Sequence, residues 1–135
     1  MASFNKINSF VENLAEKVHN LGSDTLKVAL TNSAPSASNT VLANITEVSY
    51  TNLSSRTLSI SSSSQAAGLY KLVIADLVLT ASGTVGPFQY VVIYNDTATN
   101  DELIGWYNYG SSITLQDTDT LTIDFDGTNG LIQLA

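Results

Sequence analysis

The chain of 135 residues contains no cysteine, few charged residues and no long apolar run. Without cysteine it forms neither a disulfide framework nor a zinc–thiolate site, so packing or assembly must stabilise it. No apolar stretch approaches the roughly 18 residues that would span a bilayer. Basic residues are also scarce: five Lys and Arg stand against twelve Asp and Glu, a net charge of −7. This charge disfavours nucleic acid and anionic membranes as partners, because both bind through basic contacts.

Hydrophobic residues are plentiful, at 44% of the chain against 13% charged residues, and this balance excludes intrinsic disorder. A chain of this length makes one ordinary domain, so we expect a single domain over 1–135. The N-terminal segment lacks the basic start and continuous apolar stretch of a secretory signal, so we expect it to belong to the mature protein.

The first 22 residues carry a helical pattern. Ser3 suits an N-cap and Gly22 suits a left-handed position after a helix, so the sequence predicts one helix within 1–22. Apolar side chains recur along this helix at intervals of three and four residues, at Phe4, Ile7, Val11, Leu14, Val18 and Leu21. These six residues form a narrow apolar stripe, which we call the helix seam. So narrow a stripe favours self-association, although Phe10 and Ala15 widen it enough for the helix to lie across its own sheet instead.

From Thr25 onward the apolar period changes to two, which predicts short strands. Residues 32–52 are expected to form a long loop with one helical turn near Val41 and a strand only around 49–51. The serine-rich stretch 61–68 is expected to be a hairpin tip, and the change of phase at 75–76 predicts a bulge or bend. FQYVVIYND and ELIGWYNYG predict an aromatic hairpin.

The expected fold class is therefore mainly β. About seven or eight short strands that do not alternate with helices are typical of an antiparallel β-sandwich or jelly-roll-like barrel. We expect this β-sandwich to occupy 23–135, preceded by the one N-terminal α-helix.

Residues that could carry catalysis or bind a metal are sparse. His19, the only histidine, is predicted at the surface near the helix end, and no G-x-S-x-G elbow or phosphate-binding glycine motif accompanies it. The acidic turns 117–119 and 124–129 offer oxygen atoms that calcium could use, but acidic β-turns are common and Asp-Gly is itself a turn signal. We assign no catalytic, cofactor-binding or metal-binding residue and expect no enzyme.

Four segments carry a resemblance: LGSDTLKVALTNSAP, VLANITEVSYTN, GPFQYVVIYNDTATNDELIGWYNYGSSITL and TLTIDF. Through them the chain resembles, over nearly its whole length, small β-rich structural proteins of tailed bacteriophages. The resemblance implies a capsid decoration, or cement, protein. Such a protein is a non-enzymatic virion component, assembled in the host cytoplasm, that binds the major capsid protein on the outside of the head and stabilises it. The chain departs from that family after position 51, where NLSSRTL replaces a common glycine-rich turn.

Two groups of residues are candidates for the interface of such a protein. One is the helix seam, and the other is the aromatic hairpin with Tyr94, Tyr107 and Tyr109. For the aromatic residues, ordinary core packing is the alternative. We expect a homo-oligomer, and a trimer would suit both the heptad-like helix and the threefold sites of icosahedral shells.

A different virion role stays open. A tail- or fibre-associated protein could bind a host surface or a saccharide, for which Trp106, Tyr107, Asn108 and Tyr109 would supply aromatic platforms and an amide.

Overall fold

The computed structural model describes residues 2–135 and shows a mainly β chain whose strands all pair antiparallel. The expected mainly β, antiparallel fold class with an N-terminal helix is confirmed. In chain order the elements are β1 Phe4–Lys6, α1 Phe10–Ala15, β2 Leu26–Thr31, a 3₁₀ turn Leu42–Asn44, β3 Ile60–Ala66, β4 Leu69–Ile74, β5 Leu77–Thr80, β6 Val85–Asn95, β7 Leu103–Leu115, β8 Thr120–Ile123 and β9 Ile132–Leu134.

The strands form three sheets that share one hydrophobic core. The largest has the order β1-β7-β6-β2, the second β3-β4-β9, and the third pairs β5 with β8. Each sheet contributes fully buried side chains, among them Val92, Leu72 and Ile123. Burial of one face of every sheet in a common core is the arrangement that a sandwich or barrel requires.

The predicted aromatic hairpin is present as β6 and β7, with Val92 opposite Trp106. The helical turn predicted near Val41 is present as the 3₁₀ turn Leu42–Asn44, and the bend predicted at 75–76 is the break between β4 and β5. No strand forms at 49–51, where the chain is irregular.

The serine-rich stretch differs from its expectation. Its residues up to Ala66 belong to strand β3, and the tip is only the pair Ala67 and Gly68, with φ of 52° and 82°. A pair of positive φ angles is the turn that matches the twist of a two-stranded ribbon, so the serines before it are free to pair with β4.

The N-terminal helix is much shorter than predicted. Phe4–Lys6 pair with β7 as β1, and α1 covers only Phe10–Ala15. The helix starts after Ser9 instead of Ser3, and the chain leaves it at Lys17, with φ of 67°, well before Gly22. The helix predicted over 1–22 is therefore wrong in extent; residue 1 lies outside the described residues.

Gly105 of β7 explains why β1 docks where it does. A Cβ added at Gly105 would collide with the Phe4 ring and lie 2.5 Å from the carbonyl oxygen of Asn5. The missing side chain leaves room for the Phe4 ring to cross the strand and reach Tyr107. Tertiary packing against β7 thus overrides the helical spacing of the first residues.

Residues 48–58 cover the outer edge of β2. Val28 N donates to Arg56 O at 3.0 Å, and Val48 N donates to Leu30 O at 3.0 Å. The Arg56 guanidinium lies 3.7 Å from the centre of the Tyr50 ring, and its Nη1 donates to the carbonyl oxygen of Val28 at 2.6 Å. The segment NLSSRTL therefore helps to fasten the loop 32–58 to the largest sheet. Among residues 2–135, no helix has the length and apolar character needed to cross a membrane.

Candidate interaction surfaces

The predicted helix seam does not form a continuous stripe. Ile7 and Leu21 lie in the core. Phe4 is half-buried, with its ring centre 5.6 Å from that of Tyr107. Only Val11, Leu14 and Val18 keep accessible surface on or just after α1. As a self-associating seam, the prediction is wrong, because its members are divided between a strand, a short helix and a loop.

The aromatic candidates also divide. Tyr94 is buried, and Tyr107 is 6% exposed, with its ring centre 6.0 Å from that of Phe125. Burial raises the pKa of Tyr107 to about 12. Core packing, the alternative weighed for these aromatic residues, therefore describes Tyr94 and Tyr107. Tyr109 is half-buried and remains available to a ligand.

An apolar groove lies between α1 and the β3-β4-β9 sheet. It encloses about 460 Å³ and is lined by Leu14, Leu21, Tyr70 and Leu134 among others. We call it the α1–β9 groove. Leu134 is 43% exposed, and Val11, which precedes Leu14 by one helical turn, is 50% exposed. Of the three large hydrophobic side chains exposed within 2–135, Leu134 lines the groove, Val11 lies beside it on α1, and Val78 lies on β5.

A buried polar network borders the groove. His19, predicted at the surface, is 3% exposed and lines the groove floor. Asn95 Nδ2 donates to His19 Nδ1 at 3.0 Å and to Asp24 Oδ2 at 2.7 Å. Asn95 Oδ1 accepts from the backbone N–H groups of Thr97 and Ala98, which fixes the orientation of the amide. Asn95 therefore ties the segment after α1 to the end of β6.

This geometry requires neutral His19. Because Asn95 donates to Nδ1, that nitrogen must be an acceptor and the proton sits on Nε2. Nε2 is buried and has no hydrogen-bond partner among the described residues. Burial lowers the pKa of His19 below its ordinary 6.5, while the charges of Glu102 and Asp24 oppose that shift. Protonation would place two donors face to face, so the network favours the uncharged ring.

A second, more polar cleft lies between β7 and β8. It encloses about 390 Å³ and is lined by Tyr107, Asn108, Tyr109, Thr122 and Asp124 among others. Asn108 Oδ1 accepts from Gly110 N at 2.8 Å and from Gln89 Nε2 at 3.0 Å, which holds the amide in place. Burial and the charge of Asp124 raise the pKa of Tyr109, so its hydroxyl stays protonated and can donate. We call this the β7–β8 cleft.

The acidic turns use their carboxylates as local caps. Asp126 accepts hydrogen bonds from the backbone N–H groups of Thr128 and Asn129 and from the Asn129 amide, and these bonds lower its pKa. Asp119 Oδ2 likewise accepts from Gln116 N at 2.9 Å. Within 2–135 no group of three or more His, Asp or Glu side chains is arranged to hold a metal ion.

The sequence reasoning missed Asn95, Asp24 and Arg56, whose roles depend on contacts between distant segments. The sequence carried one signal: Asn95 begins the turn Asn-Asp-Thr, in which a side-chain oxygen commonly accepts from the backbone two residues on. No family model, curated protein or solved structure matches this chain.

Proposed function

We propose that the protein is a non-enzymatic structural component of a tailed-phage virion, a decoration protein that binds the major capsid protein on the outside of the head. The observation that carries the proposal is the α1–β9 groove, where Leu14, Tyr70 and Leu134 leave apolar surface accessible on a chain of net charge −7. Clustered apolar surface that a monomer leaves exposed is typical of a protein-binding site.

The segments behind the phage resemblance support the proposal, because they form one connected body. They supply β2, β7, β8 and nearly all of β6. Residues 41–52 pack onto the largest sheet, to which β2, β6 and β7 belong. Leu42 N donates to Asp101 O at 3.1 Å, which links two of the segments directly. The groove borders this body: Leu21 and Gly22 begin the first segment, and the rest of the lining comes from α1, the loop that follows it, and strands β3, β4 and β9.

The charge distribution also suits this role. A net charge of −7 keeps a protein present at high copy number soluble and repels packaged DNA. The histidine supports a non-enzymatic role, since its Nδ1 is bonded to an amide and its ring is buried.

Binding to capsids that lack the protein tests the groove. Val11→Asp and Leu134→Asp place charges at exposed positions, so the fold should tolerate them, yet each should weaken capsid binding by roughly tenfold or more. Val78→Asp is the matched control, an equally exposed apolar residue away from the groove. Equal binding by all three variants and the wild-type chain would overturn the assignment of the groove.

The β7–β8 cleft favours a second candidate, a tail- or fibre-associated protein that binds a host saccharide. Tyr109 offers a half-buried ring, and Asn108, Thr122 and Asp124 offer hydrogen-bonding groups around it. An array of host-surface polysaccharides tests this candidate. Binding that is lost in Tyr109→Ala and kept in Val78→Asp supports it, and a blank array removes it.

A further inference from the structure

Strand β3 is a long sheet edge that no other part of the described chain covers. It pairs only with β4, and none of its residues exchanges a backbone hydrogen bond with another segment. The second half of β7, beyond β1, is also unpaired on one side, but its backbone is interrupted at Gly110, with φ of 84°. The terminal strands of the sheets are shorter than β3 or protected. β1 and β9 have three residues each, β2 is covered by residues 48–58, and Ser54 N donates to Thr80 O at the edge of β5.

The hairpin of β3 and β4 determines which backbone N–H and C=O groups of β3 point away from β4. Leu131 N donates to Leu72 O at 2.8 Å, so the backbone groups of Leu72 face β9. Ser63 lies directly opposite Leu72 on β3, and in an antiparallel pair such residues point their backbone groups away from each other. The N–H and C=O groups of Ser63, and of Gln65 two residues on, therefore point to the open side.

Beyond an irregularity at its start, this edge lacks the features that keep strand edges apart. Natural sheets block exposed edges with lysine, proline, bulges or very short strands. β3 is ISSSSQA, seven residues without a charge or a proline, and its irregularity is confined to the start, between Ile60 and Ser62. In a chain of net charge −7, this is a stretch where two copies can approach without facing like charges.

We propose that β3 is a homodimer interface, in which a second copy of the chain pairs antiparallel along β3 about a twofold axis at Ser63. The outward-facing N–H and C=O groups along β3 are complementary to the same groups of a second copy. Ser63 meets Ser63 of the second copy, and since both point their backbone groups outward, they exchange a pair of hydrogen bonds. Gln65 falls opposite residue 61 of the second copy, and Ser62 falls opposite Ser64.

The pairing joins the two β3-β4-β9 sheets into one continuous sheet and buries the open edge in an isologous contact. Small serine side chains allow the close approach, and facing hydroxyl groups can hydrogen-bond across the axis. The interface gives a dimer, in place of the trimer expected from the heptad spacing. The proposal does not rest on the capsid role, because the pairing uses the backbone edge of β3. Ser63 also lines the α1–β9 groove, so the dimer contact borders that groove.

A charge exchange tests the axis. In Ser62→Glu/Ser64→Glu, each glutamate faces a glutamate of the second copy, whereas in Ser62→Lys/Ser64→Glu each lysine faces a glutamate. Residue 64 lies opposite Lys71 within the chain, so its glutamate has the same neighbour in both variants. Sedimentation velocity of the full chain over a range of concentrations should show a wild-type dimer. The double glutamate variant should dimerise roughly tenfold or more weakly, and the lysine–glutamate variant should recover dimerisation.

Three results would overturn the proposal: a wild-type chain that stays monomeric at every concentration, an oligomer that the double glutamate substitution leaves unchanged, or equal loss in both variants. Circular dichroism and melting curves of the two variants show whether either one fails to fold. In that case Ser63→Pro replaces them. The N–H that it removes points outward, so it spares the backbone pairing of β3 with β4, while it loses the contact between the Ser63 and Tyr70 hydroxyls. It should also abolish the dimer.

Discussion

Truncation of Tyr107 tests whether the aromatic hairpin belongs to the core or to an interface. The ring is 6% exposed and packs between Phe4 and Phe125. Removing a buried aromatic side chain costs about 3–5 kcal/mol, which includes the two aromatic contacts and the cavity left behind. In a domain of this size that loss lowers the melting temperature by roughly 10–20 °C.

Thermal and urea unfolding of the wild-type chain, Tyr107→Ala and Tyr107→Phe measure this loss. The phenylalanine variant keeps the ring and both aromatic contacts, so it should retain most of the stability. Tyr109→Ala, at a half-buried position in the β7–β8 cleft, should cost about 1 kcal/mol or less. If Tyr107→Ala melts within about 2 °C of the wild-type chain, the ring does not belong to the core and the packing described here is wrong.

Three further substitutions test the hydrogen-bond network of His19, the docking of β1 against Gly105, and the packing of residues 48–58 over the edge of β2. His19 is held neutral in the folded chain, whereas the unfolded chain binds a proton near pH 6.5, so stability should fall by on the order of 1 kcal/mol as the pH drops from about 7.5 to about 5.5. Urea titrations at several pH values should show that the His19→Phe variant lacks this part of the loss of stability. If the stability of the variant and of the wild-type chain falls equally with pH, His19 is not held neutral in the folded chain. Gly105→Ala should cost about 1–3 kcal/mol and speed amide exchange at Ile7, whose N–H donates to Ile104 O; unchanged exchange would mean that β1 does not need the space. Arg56→Lys should cost roughly 0.5–2 kcal/mol through loss of the planar contact with Tyr50, and a stability equal to that of the wild-type chain would refute that contact.

Much of the β architecture could be predicted because local pattern and tertiary environment agree there. The period of two in β2, the phase change between β4 and β5, and the aromatic hairpin all survive in the structure. In each case the apolar pattern already indicates a strand, although β2 and the second half of β6 are buried on both faces and not on one alone.

The N-terminus could not be predicted from periodicity, because its spacing of three and four residues arises from three different elements. Phe4 belongs to a strand, Val11 to a helix and Leu21 to a loop. The deciding contact lies about a hundred residues away in sequence, where Gly105 makes room for Phe4. A glycine inside the apolar run LIGWY was the available signal, since such a glycine often marks a close approach of another chain segment.

The candidate surfaces were harder to predict than the fold. The α1–β9 groove combines the end of α1, a loop and the last strand, which no local pattern connects. The open edge of β3 was hidden by composition, because a serine run indicates a flexible loop until the turn at Ala67 and Gly68 is recognised.

The copy number of the protein in purified virions tests the proposed function most directly. Quantitative mass spectrometry with the major capsid protein as internal standard gives the ratio. A decoration protein should be present at one copy per capsid subunit or a simple fraction of it, which means hundreds of copies per head. A handful of copies would contradict the decoration role and favour the tail or fibre candidate, and complete absence from the particle would contradict both.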